Sequence, residues 1–501
     1  MQVDAERSVP AQALMPPTLA SLKARIFAGL SARIGVIGVV GLLMLAVSLI
    51  GLGLRLEHAL TFDGPGRGSD YEAHVAGIRW MIEHRRPFRF SPDLGVYNWS
   101  IGYQAPLWYA LGAVILHWTG SEKAVACVAV VGWLVRQILL NRLLRDFIPG
   151  KKWSRLVALA IHAVLPLSVL TDGKVNPEGL HTTLFTTALY FLWRMETEAR
   201  KPEGIHSRTA IAFGVFAGLG VLTKATASIL PVIAVVVLSR QLWLGIKRYG
   251  RASTWPRLVR PGLVAAAMWC ALAVWWCGPN LVRSGHPFPH TWDRDTPATE
   301  PILASPVLRR RPVDWMLPFR WREYLVAPVI QSETVPRPNL WAVLVSGTWS
   351  DFYNRGFCRL KGPPANLTFW GDWPVSERCL RLFSWLANIG CLVSLFAVFA
   401  VFHVAWTAFR SDDREGSLVL PVAVGLGVIF PSLFALVYPY DWAAVLNPRY
   451  LLPIAMPMSA CFGFTLAAWG SGPRALRVAR WIPCMAVSLI GVLVLYERLG
   501  R

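Results

Sequence analysis

Apolar runs long enough to cross a membrane recur along this chain of 501 residues. The first covers residues 34–54, and comparable runs follow at 124–143, 263–277, 382–409, 418–437, 451–469 and 482–496. Crossing about 30 Å of hydrocarbon takes about 20 apolar residues in a helix. Inside lipid every backbone N–H and C=O must find a partner within the protein, so such runs fold as helices. A β-barrel would instead show short segments of alternating polarity. The balance of 54% hydrophobic and 16% charged residues suits a protein dissolved in lipid. The expected fold is therefore all-α, a polytopic membrane bundle.

The formal charge of +21 does not argue for a nucleic-acid partner. Basic residues gather in short segments between spans, as the positive-inside rule expects. The 24 Trp suit interfacial belts. Residues 1–33 are polar and rich in Pro and Ala, and read as a cytoplasmic tail ahead of an uncleaved signal-anchor. Six of the eight Cys fall in apolar runs as packing residues. Cys358 and Cys379 lie in a polar segment expected outside, where they are either free or paired in a disulfide.

Alternation from an inside N-terminus assigns the remaining topology. Residues 105–118 are apolar but short, and carry Trp108, Tyr109, His117 and Trp118. If they spanned, the basic stretch at 142–155 would fall outside, against the charge rule. They are read as a re-entrant or interfacial helix of the first outer loop. Further spans are placed at 156–170, 179–193, 210–222 and 225–238, for about eleven in all. The chain divides into a tail at 1–33, a transmembrane module at 34–280, a long outer segment at 281–380 and C-terminal spans at 381–501. The module presents outer loops at 57–123 and 172–178, and the outer segment is a natural seat of substrate choice. This topology puts the protein in the inner (plasma) membrane, with its chemistry on the outer face.

Candidate chemistry lies in those outer segments. Asp70 and His74 are four residues apart and share a face if the stretch is helical. Asp70 is either a general base toward an acceptor from the aqueous side or a helix N-cap beside Ser69. Glu178, in Asn176-Pro177-Glu178-Gly179, is a second carboxylate at the same membrane level; alternatively it complements a helix dipole. Lys224, Arg283 and Arg449 are isolated cations at outer helix ends. They are either snorkelling anchors or ligands for a phosphate at that depth, because a cation at the lipid edge needs a partner. A polyprenyl phosphate supplies one, gripped by Arg through paired donors and by Lys as a point charge. Transfer of a sugar from such a lipid to an acceptor needs a carboxylate base and cations where the leaving phosphate gathers charge. No phosphate-binding loop, dinucleotide glycine pattern, zinc-type His pair or serine elbow is present.

Several segments together resemble the GT-C integral-membrane glycosyltransferases, closest to the protein-mannosyltransferase and lipid A aminoarabinose-transferase branch. Residues 70–86 are similar to the first-loop acidic motif with its amphipathic helix. Tyr103-Gln104-Ala105-Pro106-Leu107-Trp108-Tyr109 resembles the family's His-Pro-Pro-Leu-Tyr-Tyr-like segment, with Gln-Ala in place of His-Pro. Residues 175–180 are similar to the second-loop Asn/acid motif. Leu222-Thr223-Lys224 resembles the Leu-Thr-Lys hairpin, and Asn447-Pro448-Arg449-Tyr450-Leu451-Leu452-Pro453 the Gly-Arg-Tyr-Leu-Leu-Pro-like element. The resemblance implies inverting transfer from a polyprenyl-phosphate sugar, with Asp70 and Glu178 as catalytic carboxylates and Lys224 and Arg449 on donor phosphate, where the residue reading adds Arg283. His74, Tyr103, Gln104, Asn176 and Tyr450 are the candidate substrate contacts. The acceptor is a lipid, a glycan or a protein. No cofactor is required, though some relatives bind a divalent cation, which Asp70 and Glu178 would hold here. The family's usual Asn-Asp is Asn-Pro-Glu in this chain, leaving metal use open.

Competing functions remain. A transporter or flippase of lipid-linked saccharide would carry ionisable residues in mid-span facing a cavity. Of the candidates, Arg136 and His162 are read as lying near span ends. The absence of an internal repeat weighs against a secondary transporter. A polysaccharide polymerase or ligase is the nearest enzymatic alternative, and a non-catalytic scaffold would tolerate Asp70→Asn.

Overall fold

The computed structural model describes residues 19–61, 71–87, 104–285, 287–288, 340–349, 377–410, 416–437 and 448–499. All regular structure among them is helical. In chain order the helices are α1 (Leu19–Thr61), α2 (Tyr71–His84), α3 (Leu107–Thr119), α4 (Glu122–Phe147), α5 (Lys152–Val164) and α6 (Pro166–Asp172). Next come α7 (Glu178–Ala199), α8 (Ser207–Val221), α9 (Ile229–Tyr249) and α10 (Arg260–Ser284). The remainder are α11 (Leu340–Trp349), α12 (Glu377–Arg410), α13 (Val419–Val437), α14 (Ala455–Ser471), α15 (Arg474–Ala479) and α16 (Trp481–Leu499). A 3₁₀ turn, Ala225–Ser228, leads into α9, and a longer one, Pro448–Ile454, leads into α14. Helix α1 starts within the stretch expected to be a polar tail and breaks at Gly38, whose φ of 69° suits only glycine well.

Seven helices among the described residues are long and apolar enough to cross a membrane, and the bent pair α5–α6 makes an eighth if counted as one span. The sequence reading of about eleven also counts 179–193, 210–222 and 418–437. Helix α7 is long enough but carries Thr182, Thr183, Thr186, Thr187, Glu196 and Glu198. It is buried along nearly its whole length, so it needs no lipid-compatible surface. Helix α8 has 15 residues, too few at 1.5 Å each. Helix α13 covers 19 residues and is long enough to cross, whereas α8 is not. Helix α3, with 13 residues, does not reach across either, in line with the interfacial assignment.

Between helices in lipid, close packing and interhelical hydrogen bonds replace the hydrophobic drive of water. Helices α8 and α10 meet through Gly214 and Gly218, where an added Cβ would collide with Ala265 and Leu272. At the far end of α7, Glu196 accepts from the Ser417 hydroxyl at 2.6 Å and the Leu418 N–H at 2.8 Å. Glu198 accepts from the His206 N–H at 3.1 Å and Thr209 at 3.0 Å. These two carboxylates fasten α7 to α8 and to the approach to α13.

Two placements correct the sequence reading. Alternation assigns Asp172 to an outer loop with Glu178, but Asp172 closes α6 and is fully buried. Arg136, expected near a span end, sits mid-way along α4, also fully buried, and pairs with Asp172. His162 does lie near the end of α5, hydrogen-bonded to Gln137 at 2.7 Å.

Candidate active site

The site is built from three chain segments that end on one carboxylate. The first is the loop between α6 and α7. Asn176 donates from Nδ2 to the Thr171 carbonyl at 3.2 Å and accepts the Glu178 N–H at 3.0 Å through Oδ1. That side chain therefore satisfies a backbone donor that the start of a helix leaves open. Pro177 comes next with φ of −70°, already suited to helix entry. Asn-Pro-Glu thus sets Glu178 rigidly at the head of α7.

The second segment is the tight turn after α8. The N–H groups of Leu222 and Lys224 return to Gly218 and Gly220, and Thr223 bonds back to the Leu219 carbonyl at 2.9 Å. Lys224 itself is extended, with φ of −160°. Its Nζ lies 2.7 Å from Glu178 Oε1. The third is the 3₁₀ turn that carries Arg449, whose Nε lies 3.0 Å from the same oxygen. The Glu178 side chain is 4% exposed, against 18% for Lys224 and 24% for Arg449. Two partly accessible cations therefore share one buried anion. The other oxygen, Glu178 Oε2, is buried and has no hydrogen-bond partner among the described residues.

Aromatic and imidazole groups surround this triad. The Tyr450 ring faces Lys224 Nζ at 4.6 Å and the Arg449 guanidinium at 6.0 Å, within cation–π range. His74, from α2, is buried within electrostatic reach of Glu178. Its Nδ1 is hydrogen-bonded to the Tyr109 hydroxyl at 2.7 Å, and its ring packs edge-on against Trp108. Gln104 opens the segment that Leu107 ties to the Lys224 turn, through an N–H bond to the Leu222 carbonyl at 2.9 Å. Ala105 packs in the same place against Leu222 and Trp276.

Glu178, Lys224, Arg449, Tyr450, Asn176 and His74 thus come together, with Gln104 at the margin. Asp70 and Tyr103 lie outside the described residues, as does Cys358. Arg283 is in the last turn of α10, and neither its side chain nor that of Cys379 is among those described. The sequence reading omits His181. This residue stands one turn after Glu178, buried, with Nε2 hydrogen-bonded to Thr226 at 3.0 Å, so it clasps the same turn as Lys224. Its spacing of three from Glu178 is the signal that points to it.

Among the described residues no group of three or more His, Cys, Asp and Glu is placed to hold a metal ion. Lys224 and Arg449 against Oε1 also make Glu178 a poor ligand for a divalent cation, whose charge they would repel.

No protein-family model matches the sequence, and no curated protein matches it. Among solved structures the chain is similar to the archaeal oligosaccharyltransferase AglB from Archaeoglobus fulgidus, in complex with an inhibitory peptide and a dolichol-phosphate. Identity is 13% and the TM-score 0.45, over 91% of this chain and 54% of AglB. It is also similar to ArnT from Cupriavidus metallidurans bound to undecaprenyl phosphate, at 13% identity and TM-score 0.45, over 92% of this chain and 64% of that one. The apo form of ArnT gives 15% identity and TM-score 0.36, over 88% and 79%. The chain spans about half the length of AglB and under two-thirds of the lipid-bound ArnT. At these identities and TM-scores the likeness fixes neither activity nor substrate.

Proposed function

We propose that this protein is a membrane glycosyltransferase that moves a sugar from a polyprenyl-phosphate donor to an acceptor at the outer face of the inner (plasma) membrane. The observation that carries the reading is the Glu178–Lys224–Arg449 triad. Its two cations are held in place by one carboxylate, at helix ends where a lipid phosphate would lie. Lys224 spends one of an ammonium's three N–H donors on Glu178 Oε1, and the five-donor guanidinium of Arg449 meets the same oxygen as an ion pair. Arg449 and Lys224 offer a phosphate a fork and a point charge.

In the proposed step an acceptor hydroxyl or amine attacks the anomeric carbon from the face opposite the phosphate. The bond from that carbon to the phosphate oxygen breaks, and its electron pair leaves on the phosphate. Lys224 and Arg449 stabilise the charge that develops there. The acceptor proton passes to a carboxylate, and inversion results from the single displacement. Asp70 is the proposed base. Glu178, its Oε1 clamped by two cations, acts chiefly as the holder of the phosphate site.

The transporter reading gains one point from the structure, because Arg55, Arg136 and Asp172 are buried inside the bundle. All three are fully enclosed and tied to one another, so they line no path, and the enzyme reading is preferred.

The test supplies purified protein in detergent with radiolabelled polyprenyl-phosphate sugars and a membrane extract as acceptor source. Transfer by the wild type that is lost in Asp70→Asn supports the reading. Transfer that survives in both Asp70→Asn and Lys224→Ala contradicts it.

A further inference from the structure

A second ionic cluster lies at the foot of the loop that carries Glu178. Arg55 of α1 donates from Nε to Asp172 Oδ2 at 3.0 Å, from Nη2 to Ser168 at 2.7 Å, and from Nη1 to the carbonyls of Gly51 at 2.9 Å and Ala163 at 2.8 Å. Ser168 donates to Asp172 Oδ2 at 2.7 Å. Arg136 of α4 donates to the other carboxylate oxygen. The side chains of Arg55, Arg136 and Asp172 are all fully buried.

The cluster answers to a break in the chain. Pro166 has no N–H, so the His162 carbonyl loses its helical partner. The span turns by 51° between α5 and α6. The Trp133 Nε1–H reaches the His162 carbonyl at 3.5 Å, and Arg55 takes the Ala163 carbonyl. The Trp133 ring also lies under the Arg55 guanidinium, 4.2 Å from its centroid. Arg55 thus joins both sides of the break, and Asp172 anchors the far end of α6.

Helix α6 runs directly into the loop that carries Glu178. Thr171, beside Asp172, supplies the carbonyl that holds Asn176, and Asn176 receives the N–H of Glu178. A Cβ placed on Gly179 would come within van der Waals distance of Asp172 Oδ1, so the cluster lies close beside the head of α7.

We infer that Arg55, Arg136 and Asp172 are positioning residues, which lock the broken span α5–α6 so that Asn176 and Glu178 hold Lys224 and Arg449 in register for the donor phosphate. The consequence for phosphate rests on the function proposed above; the positioning itself does not. Two cations on one buried carboxylate leave a surplus charge, and Nε and Nη1 of Arg136 have no hydrogen-bond partner among the described residues. A purely structural bridge would need only Arg55 and Asp172, a neutral pair. Arg136 is therefore the variant that separates the two roles.

The experiment labels full-length protein in detergent with an amine-acylating reagent and tracks Lys224 by peptide mass spectrometry. The variants are Arg136→Gln, Asp172→Asn and Asp172→Glu, with Glu178→Gln marking the released state of Lys224. Thermal unfolding is measured in parallel. Arg136→Gln is expected to raise Lys224 labelling severalfold with little change in melting temperature, and Asp172→Glu to restore part of what Asp172→Asn loses. Lys224 labelling that stays at the wild-type level in Arg136→Gln, while Glu178→Gln rises, overturns the inference. Failure of the phosphate reading would show elsewhere, as sugar transfer unaffected by Lys224→Ala, whatever the labelling gives.

Discussion

Lys224 Nζ lies 2.7 Å from Glu178 Oε1, joining the turn after α8 to the head of α7 across 46 residues of sequence. Arg449 meets the same oxygen from far along the chain. The triad is the point at which three otherwise separate segments become one site.

Glu178 bridges two cations that would otherwise repel each other. Glu178→Gln removes that charge while keeping the shape. It is expected to cost about 1.5–3 kcal/mol of stability, the range for a hydrogen bond to charged groups. Thermal unfolding in detergent measures the cost, and an unchanged midpoint would show that the triad is loose.

Tyr450 offers its ring face to both cations. Tyr450→Phe keeps that face and is expected to retain transfer. Tyr450→Ala loses about 0.5–2 kcal/mol of cation–π attraction and should weaken the response to donor concentration. Equal KM values for the two variants would remove the ring from the account.

Asn176 holds the loop through both ends of its amide. Asn176→Ala is expected to destabilise the start of α7 by about 0.5–2 kcal/mol, the usual cost of a lost helix cap. Transfer should fall with it, because Glu178 is two residues on. Full activity in this variant would show that Glu178 is placed by other contacts.

Gly179 packs so closely that an added Cβ would overlap Ala129 on α4. Gly179→Ala is therefore expected to cost about 1–3 kcal/mol as an overpacked contact. It should also reduce transfer, since the head of α7 must shift and carry Glu178 with it. Melting and transfer measured on the same preparation report both effects.

The membrane character and most of the triad are readable from sequence for a simple reason. A charged residue beside an apolar run is conspicuous, and Glu178, Lys224 and Arg449 each stand at such an edge. Their convergence on one oxygen is not readable, because nothing local links positions so far apart. Asp172 misleads for a related reason. It sits six residues from Glu178 in a polar stretch, yet its partners are Arg55 and Arg136, supplied by other helices. Alternation gives about eleven spans, three of them on helices that a count by length and apolar composition leaves out. Helix α7 escapes that logic, since burial within the bundle lets it carry threonines and carboxylates.

The central claim is that Lys224 and Arg449 form a seat for a lipid phosphate. The most direct measurement is binding of undecaprenyl phosphate to purified protein in detergent, comparing the wild type with Lys224→Ala, Arg449→Ala and the double variant. Each single variant is expected to weaken binding by about tenfold or more, the scale of one charge-assisted hydrogen bond. Binding by the folded double variant as tight as that of the wild type would contradict the account.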